Sequence, residues 1–186
     1  MLYLILQFIT EKVPQTIADA FGRLYEELMP RVFRYVNYRV VDVDVAQDLT
    51  ETIFEKALAK FKTYRVDKSG YSTWIFSIAR NTLIDYYRLS AKELDIKKET
   101  VSRIKTDEES SLCLDDDVVK NEELKILQSC VAQLSPQEKE VISLKFGGEM
   151  TNRQIARVLG ISESNVGTIS FRTVRKLRDK FKEQTA

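Results

Sequence analysis

One stretch constrains this chain more than any other. It runs from Ser135 to Phe181, SPQEKEVISLKFGGEMTNRQIARVLGISESNVGTISFRTVRKLRDKF. Thr151 is placed to cap a helix, and Gln154 stands at the third helical position, as a capping box requires. Ile155, Ala156, Val158 and Leu159 then supply an apolar face. Gly160 follows, where a tight turn needs positive φ. Ile161 enters the core, and Ser162 caps a second helix. In that helix Val166 and Ile169 point inward. Ser164, Asn165, Thr168, Ser170, Phe171, Arg172, Arg175 and Lys176 fall on or near the outer face. The pattern predicts a helix-turn-helix, a unit that places its second helix in the DNA major groove.

Charge supports that reading. Between Arg153 and Lys182 the basic residues are Arg153, Arg157, Arg172, Arg175, Lys176, Arg178, Lys180 and Lys182, against only Glu163 and Asp179. Cations that contact phosphates release counterions, so a polyanion accounts for the local excess. The alternative is a solvated helix face. Over the whole chain 29 basic residues nearly balance 28 acidic ones, so the asymmetry between a basic tail and an acidic middle matters more than the net charge.

Composition excludes several classes. There is no histidine, which removes the commonest general base and metal ligand. The two cysteines, Cys113 and Cys130, stand in no metal-ligand spacing and fit a reducing cytoplasm. No phosphate-cradling glycine loop occurs. No catalytic residue, metal or cofactor is expected, and the chain is not read as an enzyme. Glycine and proline are scarce and helical periods dominate, which predicts an all-α protein.

Residues 1–13 open with the apolar run MLYLILQFI. It is far shorter than the ~20 residues a membrane span needs. It also lacks the basic start and cleavage site of a secretory signal. It fits an extension packed on the following helices, a mis-assigned start or a membrane-touching segment. A helix is expected from Pro14 to Val40, with Phe21, Leu24, Leu28, Val32, Tyr35 and Val36 inward and a kink or break at Pro30. Asp42 and Asp44 supply a turn and cap before a second helix, about Val45–Phe61. Its apolar set is Leu49, Ile53, Phe54, Ala57, Leu58 and Phe61, and Gln47, Asp48, Glu51, Glu55 and Lys56 lie more outward.

Residues 61–72 mix Phe61, Tyr64 and Tyr71 with Lys62, Arg65 and Lys68 around a Ser69-Gly70 turn. Aromatic faces stack on unpaired bases while cations hold the backbone, a composition suited to single-stranded nucleic acid. Aromatics that anchor such a loop in the core are the more common explanation of this composition. A third helix runs from about Ser72 to Leu89, with Trp74, Ile75, Ile78, Leu83 and Ile84 as expected core, and Arg80, Asn81, Asp85, Tyr86, Tyr87 and Arg88 as its polar and aromatic groups. From 91 to 120 the apolar period is lost. Asp107, Glu108, Glu109, Asp115, Asp116 and Asp117 cluster there without a cation, as in a flexible acidic linker. Residues 121–186 form the second domain. It begins with a helix over Asn121–Leu134, with Leu124, Leu127 and Val131 inward. A second starts at Ser135-Pro136-Gln137-Glu138 and stops at Gly147-Gly148.

These segments, in this order, resemble a bacterial sigma-70 family member of the small extracytoplasmic-function (ECF) group. Leu24-Tyr25 with Pro30-Arg31-Val32-Phe33-Arg34-Tyr35 is similar to the opening helices of the sigma-2 domain. Asp48-Leu49-Thr50 with Phe54 and Ala57 resembles the following conserved segment, although Thr52 stands where the family usually has an acid. Thr73-Trp74-Ile75-Phe76 through Ile78-Ala79-Arg80-Asn81, then Asp85 and Arg88, resembles the segment that reads the −10 region. Leu134-Ser135-Pro136 through Val166-Gly167-Thr168 resembles the sigma-4 domain.

The resemblance implies two small helical domains, 14–90 and 121–186, joined by the linker. It implies a subunit that binds core RNA polymerase and gives it promoter specificity. Gln47, Asp48, Glu51 and Glu55 would dock on the polymerase. Tyr64, Arg65, Lys68, Tyr71, Trp74, Arg80, Asn81 and Arg88 would open and hold the −10 region, with Trp74 equally placed to be core. The outer-face set from Ser164 to Lys176 would read the −35 element. One copy would act per holoenzyme, in the cytoplasm. Because the chain ends just past the recognition helix, regulation is expected from a separate anti-sigma factor, which would hold the protein at the membrane if itself anchored there. A DNA-binding repressor would share the helix-turn-helix but would need no DNA-melting module.

Overall fold

The computed structural model describes residues 15–40, 42–61, 70–100, 126–127, 129–131 and 133–185. Every regular element among them is helical, as expected. The first module is three helices: α1 (Gln15–Asn37), α2 (Val43–Phe61) and α3 (Gly70–Thr100). Phe21, Leu24, Leu28, Val32 and Val36 of α1 meet Ala46, Ile53, Phe54 and Ala57 of α2 and Ile75, Ala79 and Leu83 of α3, all buried. The aromatic rings pack edge-on, with Tyr25 and Phe54 centroids 4.7 Å apart and Phe21 and Phe61 5.2 Å apart. Asp42 starts α2 as anticipated: its Oδ1 accepts the backbone N–H groups of Asp44 at 2.8 Å and Val45 at 3.2 Å.

Several boundaries and faces differ from the sequence reading. Helix α1 runs unbroken across Pro30. Pro30 and Glu26 are both exposed, so the Glu26 carbonyl that loses its N–H partner faces water. Helix α3 continues to Thr100 and takes up the first part of the segment read as linker. Residues 90–100 are Ser-Ala-Lys-Glu-Leu-Asp-Ile-Lys-Lys-Glu-Thr, mostly strong helix formers with neither glycine nor proline. Ile84 and Leu127, expected inward, are 47% and 41% exposed. Leu124 and the acidic cluster lie outside the described residues, as does the 1–13 extension.

The second module contains α4 (Pro136–Ile142), a π-helical turn over Ser143–Gly147, α5 (Asn152–Leu159) and α6 (Glu163–Thr185). At the start of α4, Glu138 N–H donates to Ser135 Oγ at 3.3 Å and Ser135 N–H donates to Glu138 Oε2 at 2.8 Å, the expected capping box. The widened turn ends at Gly147 and Gly148, both buried.

The two modules share one core. Tyr35 of α1 and Phe76 of α3 are fully buried with Val141, Leu144 and Met150 of the second module. The π-turn lies against α1, and α5 lies against α3.

Candidate nucleic-acid interface

The helix-turn-helix forms for the local reasons its residues supply. Thr151 N–H donates to Gln154 Oε1 at 2.9 Å, and Gln154 N–H donates to Thr151 Oγ1 at 3.3 Å. Gly160 closes α5 in the left-handed region, at φ 69° and ψ 31°. Ile161 N–H then donates back to Ala156 at 3.1 Å, satisfying a carbonyl the helix end would orphan. Ser162 Oγ accepts from Asn165 N–H at 3.2 Å and so caps α6.

The inward stripe of α6 is Val166, Ser170 and Thr173, all buried. Ser170 therefore leaves the outer-face set: it stands four residues after Val166, one helical turn along the same stripe, and is 6% exposed. Its hydroxyl is buried without a hydrogen-bond partner. Lys176 is also turned aside. Its ammonium donates to Glu138 Oε2 at 3.1 Å and ties α6 to α4. Chiefly the Ser135 N–H, joined by Lys176 and the Ser135 hydroxyl, holds the Glu138 carboxyl below the usual carboxylate range against the opposing effect of burial.

What remains outward is Ser164, Asn165, Thr168, Phe171, Arg172 and Arg175, all exposed. Thr168 Oγ1 donates to the Ser164 carbonyl at 3.0 Å, and the residue stays exposed. Phe171 is 70% exposed among these polar groups. The face offers guanidiniums, groups that can bond base edges or phosphates, beside an apolar ring of the kind that can meet a thymine methyl.

Helix α3 divides the residues expected at the −10 region. Asn81 and Arg88 are exposed, with Arg88 donating to Asp85 at 3.2 Å. Tyr71 and Trp74, both half-buried, are part of an aromatic cluster around Phe61, with centroids 5.7 and 6.4 Å away. Trp74 packs partly buried against the core cluster. Arg80 turns partly inward, and its Nε is buried without a hydrogen-bond partner. Tyr64, Arg65 and Lys68 lie outside the described residues.

On α2, Gln47, Asp48 and Glu55 are exposed and Glu51 half-buried, one polar face opposite Ala46, Thr50, Ile53, Phe54 and Ala57. Burial, then the Glu51 charge, raises the Tyr25 phenol above its usual value. Among the described residues no group of acidic, cysteine or histidine side chains is arranged to hold a metal. No described helix is long and apolar enough to cross a membrane.

Sequence reasoning missed Arg31, Arg34, Arg39 and Glu140, which bind the modules together. Arg39 and Glu140 form an ion pair at 2.8 Å. The only local signal was the Gly147-Gly148 pair, read as a helix stop rather than as a close approach.

An all-α body carrying a helix-turn-helix places the chain among helix-turn-helix proteins. Two family models match the chain: Sigma-70 region 2 over residues 24–93, and Sigma-70, region 4 over residues 130–179. The ECF RNA polymerase sigma factor BldN of Streptomyces coelicolor is 31% identical over 91% of this chain, which spans 63% of BldN's length. The ECF RNA polymerase sigma factor SigM of Bacillus subtilis is 24% identical, over 83% of this chain and 91% of SigM. The fold matches the sigma factor RpoE crystallised with the anti-sigma factor NepR from Bartonella quintana, at a TM-score of 0.71 and 18% identity, over 88% of this chain and 97% of that one. It also matches CnrH in complex with the cytosolic domain of CnrY, at a TM-score of 0.61 and 21% identity, over 87% and 86% of the two chains. The chain belongs to the sigma-70 family, and the relatives it resembles here are ECF sigma factors.

Proposed function

We propose that this chain binds core RNA polymerase through the α2 face of Gln47, Asp48, Glu51 and Glu55 and reads a promoter with two separate surfaces. The outer face of α6, centred on Arg172 and Arg175, reads the −35 element. Asn81 and Arg88 on α3, with Arg80 and the Tyr64–Tyr71 segment, hold the opened −10 region. Extruding a base costs a few kcal/mol, which stacking and edge contacts offset. The protein adds specificity and positioning and carries out no bond chemistry of its own. The exposed, basic outer face of α6 is the observation that carries this reading.

BldN and SigM are named as ECF sigma factors, and RpoE and CnrH were solved with NepR and CnrY bound. Those pairings support an anti-sigma factor as this chain's second partner and the cytoplasm as its compartment. The test is transcription in vitro. Purified protein is added to sigma-free core polymerase with a pool of genomic promoter fragments, and the transcripts are sequenced. New starts that share two upstream elements are expected. Tight binding to duplex DNA by the protein alone, with no new starts, would overturn the reading in favour of a repressor.

A further inference from the structure

Gly167 stands inside the recognition helix α6, and nothing in the fold requires a glycine there. Its φ is not positive. A Cβ at this position would meet nothing nearer than Asn152 Nδ2 at 3.5 Å, an ordinary contact. Two other glycines of the same module are different. Gly160 holds φ at 69°, and a Cβ at Gly147 would lie 3.0 Å from the Tyr35 backbone. Glycine inside a helix is less stable than alanine, because it loses more backbone freedom on folding. Alanine at 167 would therefore serve the fold better. The residue is half-buried on the flank of α6 that meets the start of α5. It follows the exposed Ser164 by three residues and precedes the exposed Phe171 by four, so it borders the outer face.

Asn152 opens α5 and is itself held in place. Lys145, from the π-helical turn, donates from Nζ to Asn152 Oδ1 at 2.7 Å. An ammonium only donates, so the amide oxygen faces Lys145 and the NH2 group is turned toward Gly167. Among the described residues that NH2 group finds no acceptor, and Lys145 has no acidic partner. One cation and one oriented donor thus meet beside a residue that has no side chain. The acid one turn earlier on α6, Glu163, already has Arg153 Nε 3.9 Å from its carboxylate.

The major groove of B-DNA is about 12 Å wide, and a helix with its side chains is about 10–12 Å across. The sugar-phosphate walls therefore press on the flanks of an inserted helix. We propose that Gly167, Lys145 and Asn152 form a seat for one backbone phosphate of the −35 DNA. The missing side chain lets the groove wall approach the α6 backbone, and Lys145 Nζ and Asn152 Nδ2 bond the phosphate. The proposal rests on the reading of the −35 element by α6 and adds to that surface three residues from outside its outer-face set. Contacts of this kind carry no base sequence. They fix the depth and register at which the outer face of α6 meets the bases, so Gly167 is a positioning residue for the reading.

The test uses the full chain assembled with core polymerase, on a promoter fragment carrying the −35 element that the transcription experiment finds. Gly167→Ala is expected to raise the melting temperature of the free chain by about 1–4 °C. It is also expected to weaken promoter binding roughly 5- to 150-fold, the range for a methyl group forced into a packed contact. A residue that served only the fold would move both readings the same way. Lys145→Met is expected to lower the slope of log K against log salt by about 0.9, the value for one phosphate. Single methylphosphonate substitutions along both strands should then find one phosphate whose neutralisation weakens wild type and leaves Lys145→Met unaffected. If Lys145→Met loses helical content, Asn152→Ala carries the same methylphosphonate comparison. A Gly167→Ala chain that melts below wild type, or binds the promoter as wild type does, would overturn the close approach. An unchanged slope in Lys145→Met, or no phosphate coupled to the variants, would overturn the seat. Wild-type holoenzyme indifferent to a scrambled −35 element would instead overturn the reading by α6, and that result is visible before any variant is compared.

Discussion

Replacing Arg175 by alanine separates contact with DNA from stability of the fold. The side chain is 68% exposed, and its Nε lies 3.8 Å from Asp179, itself 51% exposed. An exposed pair of that geometry contributes less than about 0.5 kcal/mol. For a chain of this size the melting temperature therefore moves by no more than about 2 °C. The effect on DNA is larger. A guanidinium bidentate to a base is worth about 1–3 kcal/mol of discrimination, or roughly 5- to 150-fold. One on a phosphate weakens all sequences alike and lowers the slope of log K against log salt by about 0.9. Holoenzyme carrying Arg175→Ala, and separately Arg172→Ala, is titrated onto fluorescent promoter fragments with intact and scrambled −35 elements at several salt concentrations. A base contact appears as lost discrimination and a phosphate contact as a reduced slope. If both variants match wild type in affinity, discrimination and slope, α6 is not the reading helix.

Three further outcomes follow from the same contacts. Glu140→Ala leaves Arg39 and the Tyr35 hydroxyl without their shared partner. Breaking such a buried pair costs about 3–5 kcal/mol, limited here by the free energy of docking, since separated modules rehydrate both groups. Urea unfolding should show that loss, and Tyr35→Phe added to it should cost little more. Gly160→Ala meets open space at its Cβ, so only the left-handed backbone at φ 69° penalises it, by about 1–2 kcal/mol, and Gly160→Asn should lose less in the same thermal melt. Glu138 has a folded-state pKa below its ordinary value near 4.5, so its contribution is complete above that value and is lost as pH falls through the lower one. Melts from pH 6 down to pH 3 should show stability falling through the acid range, and Glu138→Gln should flatten that decline.

The parts of this protein set by short-range rules were legible in its sequence. Thr151 with Gln154, Ser135 with Glu138, Asp42 ahead of α2 and the turn at Gly160 depend on atoms within a few residues of one another, so spacing alone foretold them. The apolar stripes of α1 and α2 followed from helical period, and so did most of the outer face of α6. Where period failed it failed by neighbouring context. Ser170 falls on the inward stripe despite its polarity, and Ile84 falls outside it despite being apolar. Pro30 was tolerated because its orphaned carbonyl faces solvent, a fact about which side of α1 meets water. The docking of the modules was not legible at all. Tyr35 and Glu140 are 105 residues apart, and no local pattern ties one hydroxyl to one carboxylate across that distance. Helices, caps and the DNA-reading turn belong to the sequence, because their energies are local. The joint that brings Arg39, Tyr35 and Glu140 together belongs to the tertiary structure, because burying those polar groups costs free energy that only their mutual contact in three dimensions offsets.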